Sequence, residues 1–148
     1  MTDEWVGGII CTMKKLVDHY PLAFSNNDGW GYEDIYCKGG WLTILDRLFA
    51  AIDKHLESLP AKSKVRKNFA FCEIKEKFGG LRVYVQHSDD YINERIKQTE
   101  EDSKRICEFC GIGGQMGKCG WYHRTVCRDC AKINKYTLLS ELEKETNV

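Results

Sequence analysis

Two Cys-x-x-Cys pairs, Cys107–Cys110 and Cys127–Cys130, stand sixteen residues apart toward the end of this 148-residue chain. No other feature limits the fold so tightly. Each pair makes a turn that presents two sulfurs to one ion, and two such turns complete the tetrahedron Zn2+ prefers. Gly111, Gly113 and Gly114 follow the first pair, where a tight knuckle needs unusual backbone angles. The second pair lies in TVCRDCAKINKY, which reads as a strand running into a helix, so Cys127 and Cys130 fall at the helix start. Knuckle, hairpin and helix in that order predict a treble-clef-like module over residues 104–148, with one structural Zn2+ as cofactor. Cys119 and His123 lie between the pairs, and His123 could displace one thiolate, but two matched pairs favour four sulfurs. Cys11, Cys37 and Cys72 have no ligand spacing, sit near apolar residues and read as buried thiols.

The compartment decides what eight cysteines mean: a disulfide framework in an exported chain, metal binding in a reducing one. The opening MTDEWVGGII has no basic stretch, long apolar stretch or small-residue cleavage site, so a cytoplasmic location is expected. No run approaches the ~18 apolar residues of a membrane span, so no membrane partner is expected. Twenty-two Lys and Arg balance twenty-two Asp and Glu. That excludes an acidic DNA mimic and binding driven by the charge of the whole surface, while leaving room for a local patch.

Residues 1–103 read as an α+β body, with helices packed on a small β-hairpin and the zinc module docked beside them. Trp5, Ile9, Met13, Leu16, Val17 and Tyr20 fall largely on one face of a first helix that ends near Pro21. Residues 21–40 are rich in Gly, Asn and Asp and predict an ordered loop packed by its aromatic side chains. The clearest helix follows, its stripe running Trp41, Leu45, Leu48, Phe49, Ile52, Leu56 and Leu59 until Pro60 closes it. After a basic connector, Ala70, Cys72 and Ile74 alternate with Phe71 and Glu73, and Leu81, Val83 and Val85 with Arg82 and Tyr84. These are two strands joined across KEKFGG. Ser88 is expected to cap a third helix, with Glu100–Lys104 and Glu101–Arg105 as i,i+4 pairs. No Gly-, Pro- or Ser-rich linker separates that helix from Cys107, which predicts docking of the zinc module.

GWLTILDRLFAAI, then IKEKFGGLRVYV, then CEFCG followed by GWYHRTVCRDCA, resemble in that order a group of small bacterial and bacteriophage proteins of uncharacterised activity. The resemblance spans about residues 29 to 131. It implies a phage or prophage setting and a zinc-finger end, and implies no particular activity.

Three classes of function remain. An enzyme is disfavoured, because four thiolates leave the metal no open position and the chain has no HExxH, GxSxG or P-loop. Its one H-x-E, His55–Leu56–Glu57, closes a helix, and neither Cys-x-x-Cys follows proline as in zinc deaminases. Nucleic-acid binding draws on seven bases against two acids over residues 104–135, and again over 62–82. Four thiolates around Zn2+ carry about minus two, which offsets part of the first excess. Lys118, Trp121, Tyr122, Arg124 and Arg128 are the candidate contacts, with the two rings able to stack on bases; the bland alternative is that Trp121 packs the knuckle onto the body. The adopted expectation is a non-enzymatic protein that binds and modulates or inhibits a host or defence-system protein. Phe24, Trp30, Tyr32 and Tyr36 are anchors for such a contact, or else they roof the core.

Overall fold

A computed structural model describes residues 13–27 and 30–146. Cys11 and most of the first predicted helix lie outside them; residues 13–19 (α1) are helical. The chain mixes helix and strand. A 3-10 turn (Tyr32–Asp34) leads to β1 (Ile35–Tyr36), and a second 3-10 turn (Gly39–Trp41) to α2 (Leu42–Ser58). Next come α3 (Lys64–Asn68), β2 (Ala70–Lys77), β3 (Gly80–Gln86) and α4 (Asp90–Ser103). The C-terminal part holds β4 (Gln115–Cys119), β5 (Tyr122–Val126), α5 (Arg128–Asn134), β6 (Thr137–Leu138) and α6 (Leu139–Thr146). Two three-stranded sheets result, ordered β1-β2-β3 and β5-β4-β6.

The α2 stripe is the centre of the larger core. Trp41, Leu45, Phe49, Ile52 and Leu56 are fully buried, against Phe69 at the end of α3, Ile74 and Leu81 of the hairpin and Ile92 of α4. Arg66 donates to the carbonyls of Glu57 and Leu59, closing the exposed end of α2, so this connector base caps a helix. Of the loop aromatics, Phe24 stacks on Phe71 at 4.8 Å with Trp30 beside it, and Tyr32 packs on the same core. Those three roof the core; Tyr36 is exposed.

The predicted alternation along β2 fails at one residue. Phe71 faces Val85 but Glu73 faces Tyr84, so Cys72 is the extra residue of a β-bulge. The bulge turns Phe71 and Ile74 to the same core and expels Cys72, which is exposed rather than buried. Asn27 holds the bulge, its amide donating to the Phe71 carbonyl at 2.6 Å and accepting from the Phe71 N–H at 3.2 Å. On the opposite edge, Ser103 and Glu100 of α4 accept the N–H groups of Leu81 and Val83, covering β3. Glu100 is therefore committed to the sheet, and α4 ends at Ser103. The helix-end pairs are Lys104–Glu101 and Arg105–Asp102, three apart rather than four. Asp89, not Ser88, caps α4 by accepting from the Ile92 N–H, and His55 of α2 holds the same carboxylate at 2.7 Å.

The C-terminal part has a small core of its own, in which Val126, Ala131 and Leu138 pack around Cys107 and Cys127. Its contact with the body is close. A Cβ on Gly40 would lie 2.1 Å from the Cys107 carbonyl oxygen, so only glycine permits this approach. The Gly40 N–H donates to the Glu108 carbonyl at 2.7 Å, and the Trp41 indole N–H to the Ile106 carbonyl at 3.0 Å. At the other side, Gly79 bridges to Arg124 and its carbonyl accepts the Thr125 hydroxyl at 2.6 Å.

Candidate metal centre

Local backbone bonds shape the first cysteine pair. The Cys107 N–H donates to the Ile112 carbonyl, the Gly111 N–H to the Cys107 carbonyl and the Gly114 N–H to the Arg105 carbonyl. Gly111 takes φ +85; Gly114 is small for a different reason, since a Cβ there would lie 2.8 Å from the Cys107 nitrogen. The second pair comes from the start of α5, where Cys127 is the N-cap residue and its sulfur accepts the Cys130 N–H at 3.4 Å.

Together these elements bring the Cys107, Cys110, Cys127 and Cys130 sulfurs within 4.8 Å of one another, with Cys110 and Cys127 at 3.7 Å. Metal–sulfur bonds of ~2.3 Å in a tetrahedron place sulfurs about 3.8 Å apart, so the group could hold a metal ion. Burial opposes ionisation of Cys107, but N–H groups of Cys110, Cys127 and Phe109 directed at its sulfur outweigh it and bring the thiol down to about 7. Cys130 is driven upward, by burial first and then by the neighbouring sulfurs. Four crowded thiolates repel one another, and a divalent cation relieves that repulsion.

Cys119 and His123 stay apart from this group. They pair with Tyr122 and Lys118 toward the far end of the β4–β5 hairpin, Cys119 four residues (about 13 Å) and His123 three (about 10 Å) from its Gln115–Val126 base. Cys37 is half-buried at the seam between the two cores, and burial pushes its thiol up to about 12. It lines a cleft of about 390 Å³ together with Tyr36, Lys38, Glu76, Glu108 and Arg124.

Glu108, inside the first Cys-x-x-Cys, is the residue that sequence reasoning missed. Its side chain is buried, with one oxygen paired to Arg124 at 2.5 Å and the other accepting the Lys38 N–H at 2.9 Å. Burial raises its carboxyl above the usual range, against the opposing pull of the Lys38 N–H and Arg124. Arg124 also donates to the Tyr136 hydroxyl and lies over the Phe109 and Tyr136 rings. This corrects its reading as a free basic contact: Arg124 is a structural cation between the knuckle and β5. The polar surroundings of Glu108 in CEFC carried no local signal, because its partners are 16 and 70 residues away.

The other predicted contacts are at the surface. Lys118 and Arg128 are exposed, Arg128 in the first turn of α5. Trp121 is 94% exposed and Tyr122 74%, so Trp121 does not pack the knuckle onto the body. The cause is the turn. Cys119 pairs with Tyr122, and Gly120 at φ +61 opens a two-residue hairpin loop that carries Trp121 outward.

No protein-family model matches the chain, and comparisons with curated proteins and with solved structures find no significant match. Among the described residues, no helix is long and apolar enough to cross a membrane.

Proposed function

We propose that this chain is a non-enzymatic binding protein whose C-terminal part is a treble-clef-like module held by one structural Zn2+. Knuckle, hairpin and helix follow one another in that order, and the ligand set is entirely sulfur, as zinc favours in closed structural sites. With all four positions filled by protein, the ion has no place for a reacting water or substrate. It fixes the hairpin instead.

The observation that carries the binding role is Trp121, 94% exposed at the tip of a hairpin anchored at its base by the cysteine cluster and along β5 by Glu108 and Gly79. A tryptophan held rigidly in water loses the benefit of burial until a partner covers it, and such residues dominate binding energies. Modulation of a host or defence-system protein in the bacterial cytoplasm, in keeping with the phage or prophage setting that the resemblance implies, is one form of this function. Binding of nucleic acid by the hairpin is the other.

Affinity capture from a bacterial lysate, with and without nuclease, tests the reading. Full-length zinc-loaded protein is compared with a Trp121→Ser, Tyr122→Ser variant of unchanged melting temperature. Wild-type protein recovers a partner that the variant loses. Equal recovery by both removes the hairpin tip from the function.

A further inference from the structure

Phe78 occupies a backbone conformation that phenylalanine avoids. It sits with Gly79 in the two-residue turn joining β2 to β3, at φ +52 and +86. Positive φ at both positions marks a type I′ turn, where Asn or Asp normally stands first and a bulky residue is a strained outlier. The ring gains nothing from the fold in return, for it is 76% exposed. Strain retained at a residue with no structural return is an indication of function.

The fold sets this turn against the middle of the β4–β5 hairpin, at Arg124, within three residues of its tip. Gly79 bridges to Arg124, so Phe78 is one residue, Tyr122 two and Trp121 three from the point of contact. Glycine is favoured at Gly79 by its φ of +86, and a Cβ there would displace the end of the Met116 side chain. Among the described residues none of these three rings packs on another ring, and neither Lys77 nor Lys118 is in an ion pair. The two turns, KFGG at 77–80 and KCGWYH at 118–123, contain no carboxylate.

We infer that these adjoining turns form one binding surface for single-stranded nucleic acid, with Phe78, Trp121 and Tyr122 stacking on bases and Lys77 and Lys118 meeting phosphates. The inference rests on the binding role proposed above and names its ligand. Aromatic faces flanked by cations, without acids, complement an anionic polymer whose every unit carries a π-face. Size agrees with this. The ten residues of the two turns fall short of the roughly 20–30 per side that a stable protein interface engages, whereas three exposed rings match a run of about three nucleotides. Duplex DNA is disfavoured, because its bases are already stacked.

The test uses full-length zinc-loaded protein and fluorescein-labelled dT20, U20 and a 20-base-pair duplex, followed by anisotropy and by tryptophan fluorescence, in which Trp121→Ala identifies the share of Trp121 among the chain's four tryptophans. Both single strands, or one of them, bind at low salt and quench the tryptophan; the duplex binds more weakly, and the preferred strand identifies DNA or RNA. Trp121→Ala and Tyr122→Ala each weaken binding by roughly five- to a hundredfold. Phe78→Asn weakens it while leaving the protein at least as stable, which a merely structural residue would not do. Lys77→Ala and Lys118→Ala each reduce the salt slope, by about 0.7 for every phosphate no longer neutralised. Absence of salt-sensitive binding to either strand overturns the inference, as does binding indifferent to Phe78 and Trp121. If a nuclease-resistant protein partner is meanwhile captured through the same rings, the nucleic-acid inference fails and the binding surface stands. If no partner of either class depends on them, both fail.

Discussion

Replacing Glu108 by Gln removes one buried charge while keeping the side chain's size and an acceptor for the Lys38 N–H. Arg124 then stands with its guanidinium in the seam and no anion at 2.5 Å. Breaking a buried pair from one side costs ~3–5 kcal/mol, because the remaining charge is uncompensated. Arg124 keeps the Tyr136 hydroxyl and a side chain 19% exposed, which lets water reach it and places the cost at the lower end, about 3 kcal/mol. For a chain of this size that lowers the melting temperature by roughly 6–12 °C. Removing both charges, as Glu108→Leu with Arg124→Met, leaves no orphan ion and recovers most of the loss, since apolar replacement of a buried pair is often neutral or better. Urea unfolding at fixed excess zinc, on the wild type, both single variants and the double, measures the coupling. A cost below about 1 kcal/mol for Glu108→Gln, or strictly additive single variants, would refute the buried ion pair as the link between the knuckle and β5.

Removal of the proposed zinc is expected to act locally. Structural zinc contributes ~10–16 kcal/mol of apparent free energy, against a C-terminal core in which, among the described residues, Val126, Ala131 and Leu138 are the buried apolar side chains other than cysteines. Chelation, or Cys127→Ser, is therefore expected to abolish amide protection over about residues 107–142 and retain it along α2; unchanged C-terminal protection contradicts this. At the other end of α4, the cap responds to acid. Despite burial, which acts in the other direction, hydrogen bonds from His55 and the Ile92 N–H hold the Asp89 carboxyl below its ordinary value of 3.8. A depressed carboxyl contributes stability above its unfolded value, and that contribution disappears as pH falls through its folded value. Asp89→Ala should cost ~0.5–2 kcal/mol near neutral pH, and the difference from wild type should shrink as pH falls below 3.8 and through the lower folded value; a difference that persists in strong acid would assign the effect to packing.

The parts of this fold legible in the sequence are those specified by neighbours in the chain. The α2 stripe repeats at the helix period, and Cys-x-x-Cys spacing is a local geometric demand. Elements that depend on distant partners were not legible. The two-residue strands β1 and β6 exist only through pairing with β2 and β4. The bulge at Cys72 depends on Asn27, 44 residues before Phe71, and breaks an alternation that otherwise looks regular. α3 is a single turn capped by Ser63 inside what reads as a basic connector. The same limit misled the reading of charge. Arg66 and Arg124 count as surface bases in composition, yet one caps α2 and the other neutralises Glu108. Phe78 was visible as a letter in KEKFGG, but its meaning lay in a positive φ and an exposed ring.

The proposed function depends on a closed, all-sulfur metal site. X-ray absorption at the zinc edge, with metal quantified in the same purified sample, tests it most directly. One zinc per chain, surrounded by four sulfurs at about 2.3 Å with no nitrogen shell, is the predicted result. A zinc–nitrogen shell would bring His123 into the site and contradict the separation of the hairpin tip from the cluster, and protein that is folded but takes up no zinc would remove the metal from the account.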